Sequence, residues 1–96
     1  MKVRNFYNKN QFLVEENGKI YFQSYESVVA CWDRETRTLT LGEDWDYSNT
    51  TRKHLYLFIE DIVSLSELYE LNAQKNKRAF IQNLINKNII KYSTAL

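Results

Sequence analysis

No proline occurs anywhere in the sequence, and glycine occurs only at positions 18 and 42. With so little punctuation, and both glycines in the first half, nothing marks an interdomain linker, and 96 residues suffice for one domain with one modest core. Cysteine is equally scarce. Cys31 stands alone, which excludes an intramolecular disulfide. Histidine occurs once, as His54, so no zinc spacing can be assembled, and the short Asp44-x-Asp46 pair matches no calcium loop. No metal and no cofactor are expected. Long apolar runs are missing too: none approaches ~18 residues. Neither a secretion signal nor a membrane span is therefore expected, and the chain reads as cytoplasmic.

An excess of one charge is also absent. The net charge of +1 makes the chain neither a strongly basic nucleic-acid binder nor an acidic mimic of one. The charges are unevenly placed, however. Residues 72–96 carry Lys75, Lys77, Arg78, Lys87 and Lys91 with no acid, whereas Glu43, Asp44 and Asp46 cluster mid-chain. What is plentiful is aromatic: 15% of residues, mostly tyrosine, so several rings must keep a hydroxyl near water.

The pattern predicts an α+β domain: two antiparallel β-hairpins forming a small sheet, packed against an amphipathic helix, then a short helical pair and a terminal strand. Residues 1–47 form the hairpin half and 48–96 the helical half. Asn17-Gly18 between Phe12-Leu13-Val14 and Ile20-Tyr21-Phe22 is a strong type I′ hairpin signal, placing Glu16 opposite Lys19, Val14 opposite Tyr21 and Leu13 opposite Phe22. A second hairpin joins Ser27–Trp32 to Thr38–Leu41 around Asp33-Arg34-Glu35-Thr36-Arg37. A four-residue loop is expected to pair Ala30 with Leu39; a three-residue loop would pair Cys31 with Leu39 but needs a left-handed residue near β-branched Thr36.

Ser48-Asn49-Thr50-Thr51 is rich in helix-capping residues, and Leu55, Phe58, Ile59 and Ile62 follow at helical spacing, predicting a helix from Thr51 to Ile62. Ser64-x-x-Glu67 matches a capping box, with Val63 and Leu68 as a hydrophobic staple, so a short second helix is expected. The apolar phase then breaks around Asn72 to Lys77. A third helix over Lys77 to Asn86, a left-handed Asn88 and a strand at Ile89-Ile90-Lys91-Tyr92 complete the prediction.

Three groups of residues are candidates for binding. Thr50, Thr51, Arg52, Lys53 and His54 gather hydroxyls and cations at a helix start, where free N–H groups attract anions. The plainer alternative is that Ser48 or Thr50 caps the helix while the cations stay solvated near Glu43 to Asp46. The order from Leu65 to Tyr92 resembles a helix-turn-helix with a rudimentary wing, in which Lys75, Lys77, Arg78, Gln82 and Asn86 would face nucleic acid. Its plainer alternative is a solvated basic helix. Finally, Trp45 and Tyr47 beside Glu43, Asp44 and Asp46 are candidates to anchor a protein partner, with core packing an equal alternative for Trp45. An enzymatic pairing of Cys31 with His54 is weaker, because Cys31 lies in an apolar strand where a small buried side chain is its ordinary role.

The run Trp45-Asp46-Tyr47-Ser48-Asn49-Thr50-Thr51-Arg52-Lys53-His54-Leu55-Tyr56-Leu57-Phe58, preceded by Ser27-Val28-Val29-Ala30, resembles a family of small uncharacterised proteins of phages, plasmids and Gram-positive bacteria. The resemblance spans about half the chain and brings no known activity. It implies a mobile-element setting and a bacterial cytoplasm. The expectation is a non-enzymatic binding module contacting nucleic acid through the basic C-terminal helix. The competing expectation is a protein-binding inhibitor of host defence, of the anti-CRISPR or another anti-defence type.

Overall fold

A computed structural model describes all 96 residues. Six strands, β1 (Lys2–Phe6), β2 (Asn8–Glu16), β3 (Lys19–Ser24), β4 (Ser27–Asp33), β5 (Thr38–Leu41) and β6 (Lys91–Tyr92), lie side by side in sequence order. All neighbours are antiparallel except β5 and β6, which run parallel. Two helices, α1 (Asn49–Asp61) and α2 (Lys77–Asn86), complete the α+β architecture.

The first hairpin forms as the residue pattern dictates. Asn17 and Gly18 both adopt positive φ, the requirement of a type I′ turn, and Glu16, Val14 and Leu13 sit opposite Lys19, Tyr21 and Phe22. Elsewhere the shortage of glycine forces other residues into the left-handed region: Tyr7, Tyr25, Arg37 and Asn88 take φ of 69°, 54°, 55° and 62°. Asn88 was foreseen from its place after α2; the two tyrosines and the arginine were not.

The second hairpin has its four-residue loop, but Leu39 pairs with Trp32 and Ala30 with Leu41, not Ala30 with Leu39. Asp33 Oδ1 accepts the backbone N–H groups of Glu35 and Thr36, and Arg37 supplies the left-handed residue, so pairing resumes at once with Asp33 opposite Thr38. A slip of two residues keeps every side chain on its own face, so hydrophobic alternation could not separate the two registers.

One face of the sheet is covered. Leu13, Ile20, Phe22, Ala30, Trp32, Leu39 and Leu41 join Leu55, Phe58 and Ile59 of α1 in the core, with the Phe22 and Phe58 rings stacked at 5.7 Å and Phe6 edge-on to Phe22 at 5.9 Å. Phe6 comes from β1, a strand the hydrophobic pattern did not predict because Lys2, Val3, Arg4 and Asn5 are all exposed. Gly42 ends β5 where space allows nothing larger: a Cβ there would lie 2.8 Å from the Val28 carbonyl oxygen. Beyond α1, the expected second helix is two 3-10 turns, Ser66–Leu68 and Leu71–Ala73. The capping box does not form. Ser64 instead meets Arg37, whose guanidinium donates to the Ser64 carbonyl, and Leu65 precedes the first turn without a side-chain cap.

Candidate functional site

Ser48 caps α1: it adopts extended backbone, and its Oγ accepts the Thr51 N–H at 3.1 Å. Thr51 is buried, with its Oγ1 3.0 Å from Ser48 Oγ. His54 is also buried and spent on the fold. Its Nδ1 lies 2.8 Å from the Thr50 carbonyl, and its Nε2 lies 3.3 Å from Asn8 Nδ2, so Nδ1 donates and Nε2 accepts. This ties α1 to the start of β2. Cys31 belongs to the opposite face of the sheet, between Tyr21 and Thr40 in register, and burial pushes its thiol up. The two side chains therefore stand on opposite sides of the sheet, and no nucleophile–base pair exists between them.

The cations at the start of α1 and α2 converge on one carboxylate. Asp46 accepts from Arg52 Nη1 at 2.7 Å through Oδ1 and from Arg78 Nε through Oδ2, while Arg52 also donates to Asn49 Oδ1. This junction binds the 43–46 turn to both helices. Of the five residues expected to hold an anion, Arg52 is consumed there, His54 is buried, and Lys53 points into solvent; Thr50 and Thr51 alone line a cavity.

The basic C-terminal group is likewise divided. Arg78 is paired with Asp46, Lys77 Nζ sits 5.5 Å from the centre of the Tyr56 ring, and Gln82 donates to Asn86 at 3.1 Å. Lys75 and Lys87 are exposed and unpaired. Arg78, Gln82 and Asn86 do share a shallow groove of about 280 Å³ on the outer side of α2, together with Ala79 and with Asn83, which sequence reasoning missed. The helix-turn-helix reading does not survive: its first helix is only the 3-10 turns, and its wing is the two-residue β6, bonded into the main sheet.

The expected protein-contact group also splits. Trp45 is 5% exposed and packs in the core, because the Gly42 carbonyl accepts its N–H and the turn folds the indole inward. Asp46 is held by the arginines, and Glu43 is exposed away from the cavity. Tyr47, 80% exposed, and Asp44 remain, and they line a cavity.

That cavity is an open cleft of about 670 Å³ between the β3–β4 turn, the 43–46 turn and the start of α1. Ser24, Tyr25, Glu26 and Ser27 form one wall; Asp44, Tyr47, Ser48, Thr50 and Thr51 form the other; Val29 lies between. Tyr25 is 57% exposed on its left-handed backbone, held by its N–H to the Asn10 carbonyl at 2.7 Å. Neither Glu26 nor Asp44 has a hydrogen-bond or ion-pair partner, and no lysine or arginine lines the cleft. Ser24 is 4% exposed, and its Oγ has no partner; nor does either polar atom of the fully buried Gln11, its cross-strand neighbour. The β3–β4 turn was not singled out from sequence, since Ser24-Tyr25-Glu26-Ser27 lacks the glycine or asparagine that marks such turns. The available signal was two consecutive large polar residues between apolar strands.

No three histidine, cysteine or acidic side chains converge as a metal site, and no helix is long and apolar enough to cross a membrane. No curated protein and no solved structure matches the chain. Residues 1–83 match one described family, spanning the whole sheet except β6 and reaching into α2: the chain belongs to a family of unknown function (DUF8033).

Proposed function

We propose that the protein is a non-enzymatic binding module that recognises a protein partner through the cleft at the start of α1. The observation that carries this reading is the pair of exposed rings, Tyr25 and Tyr47, flanking a cavity whose carboxylates, Glu26 and Asp44, are unpaired. Tyrosine supplies large contact area at low entropic cost, and interface anchors are enriched in it. These carboxylates make no hydrogen bond or ion pair within the fold, so they are available to an incoming cation. In the mobile-element setting that the Trp45–Phe58 run implies, the partner is a host protein, and an anti-defence inhibitor is the form such a module takes.

A second reading, nucleic-acid binding, is supported by the outer side of α2. Arg78, Gln82, Asn83 and Asn86 share one groove there, Lys75 and Lys87 lie near its ends, and the helix carries no acid. The pairing of Arg78 with Asp46 weighs against it, because a guanidinium already neutralised releases less counterion on meeting phosphate.

One experiment separates the two. Tagged protein is incubated with host lysate, with and without nuclease, and captured. The protein reading expects one stoichiometric species that survives nuclease and moderate salt and is lost with Tyr47→Ala. A partner that disappears on nuclease treatment, or on Lys75→Ala with Lys87→Ala, supports the nucleic-acid reading instead. Recovery of nothing contradicts the protein reading.

A further inference from the structure

Resting on the protein-binding reading, we propose that the cleft receives an arginine side chain presented by the partner, its guanidinium held by Glu26 and Asp44 between the rings of Tyr25 and Tyr47 and its stem lying toward Val29.

The choice of a cation follows from the charges. The start of α1 offers roughly half a positive charge, which by itself favours anions. Against it stand two full negative charges, and Arg52, the nearest guanidinium, is turned away to Asp46 and Asn49. The carboxylates win, so phosphate is the wrong ligand here. A neutral sugar could stack on the rings, but it would leave both carboxylates without the countercharge that they lack.

Arginine fits better than lysine for three reasons. Its five N–H donors match two carboxylates, which only accept, beside the hydroxyls of Ser27 and Thr50, which are able to accept. Its plane stacks on tyrosine while keeping its charge, whereas lysine presents a compact, strongly hydrated point. The cleft also contains an apolar contact, Val29, suited to a methylene stem.

A further feature points to an occupant independently of the charges. Ser24 Oγ is buried without a partner in the cleft wall, and behind it both polar atoms of Gln11 are unsatisfied. Buried polar atoms are ordinarily paired, and each orphan is costly. Ser24 lines the cleft although its Oγ is closed to solvent, so a donor entering the cleft pairs with it through a rotation of the Ser24 side chain. An occupant of the cleft thereby offers Ser24 the partner that it lacks.

The test is an NMR titration of the whole protein, following backbone amide signals. The probe is N-acetyl-arginine methylamide, beside inorganic phosphate and methyl glucoside. We expect saturable shifts with the arginine probe at Ser24–Ser27, Asp44 and Tyr47–Thr51, with affinity in roughly the millimolar range, as befits one side chain. Glu26→Gln with Asp44→Asn should weaken binding roughly tenfold or more, since each loses a charge-assisted hydrogen bond. Neither side chain makes a hydrogen bond or ion pair in the fold, so the amide spectrum of that variant should stay dispersed. An absence of saturable shifts, shifts confined to α2, shifts at the cleft with phosphate or glucoside but not arginine, or undiminished binding by the double variant would each overturn the proposal. The wider reading has its own control. If the captured partner is lost with Tyr47→Ala yet retained by the Glu26→Gln, Asp44→Asn variant, protein recognition stands and the arginine assignment falls.

Discussion

The Asp46 junction and the Tyr25–Tyr47 cleft lie on either side of the same short turn, and both are rich in charge, yet the charges do different work. At the junction one carboxylate is shared by Arg52 and Arg78, and all three groups hold the start of α1 to the start of α2. At the cleft Glu26 and Asp44 face solvent with no partner. A count of acids and bases along the chain cannot distinguish these situations. What separates a structural charge from an available one is whether folding has already given it a countercharge.

The largest effect that would sharpen this contrast is at Asp46. Asp46→Ala should cost roughly 1–3 kcal/mol in unfolding free energy, the lower part of the range reflecting the solvent exposure of Arg78. Equilibrium denaturation reads it directly. Loss of the junction strands two guanidiniums, so the cost should persist in the triple variant with Glu26→Gln and Asp44→Asn.

Next is the orphaned pair behind the cleft. Gln11→Leu with Ser24→Ala removes three unsatisfied buried atoms while roughly preserving volume, and should raise stability by about 1 kcal/mol in the free protein. A fall in the denaturation midpoint would mean that these atoms are satisfied in solution without any occupant, and would weaken the link between them and the cleft.

A smaller effect concerns Asp33, another carboxylate spent on the fold. The Thr36 backbone N–H, helped by that of Glu35, holds its carboxyl below the usual range against an opposing effect of desolvation. Its folded pKa is thus depressed, so the stability it contributes is present above its unfolded value of about 4 and is lost as pH falls through the folded one. Asp33→Asn should flatten that part of the stability profile below pH ~4, measured by thermal unfolding across pH. Smallest of all should be the stability change for Glu26→Gln with Asp44→Asn, within about 0.5 kcal/mol of the parent.

Much of the fold is legible in the residues, and the limits have physical causes. Asn17-Gly18 sets the first hairpin because few residue pairs accept two positive φ angles. The apolar spacing Leu55–Phe58–Ile59 announces α1, and Asn88 announces the end of α2. β1 escaped because it is a polar edge strand formed by pairing with β2, with Phe6 as its one buried residue. The Trp32–Leu39 register escaped because a two-residue slip preserves alternation. The capping box at Ser64 failed because the turn begins one residue too late for it, at Ser66 with Leu65 in the cap position, while Arg37, remote in sequence, holds the Ser64 carbonyl.

The site was harder to read. Tyr47, Asp44, Thr50 and Thr51 were in view as members of two separate groups, one read as an anion site and one as a protein contact. Tyr25 and Glu26, some twenty residues earlier, were not. Only the sheet brings them opposite one another, and only the pairing of Arg52 with Asp46 leaves the cleft without a cation of its own. Trp45 reads equally as an interface anchor or a core residue in sequence, and in space it is core, because a turn of four residues can point its third side chain inward.

The most direct test compares two charge deletions of equal chemistry in one urea denaturation series: Asp46→Asn, and Glu26→Gln with Asp44→Asn. The account predicts a clearly lowered midpoint for the first and an unchanged midpoint for the second, although the second removes more charge. Equal loss in both, or loss only in the second, would show that the cleft carboxylates hold the fold and would contradict the division of labour argued from the structure.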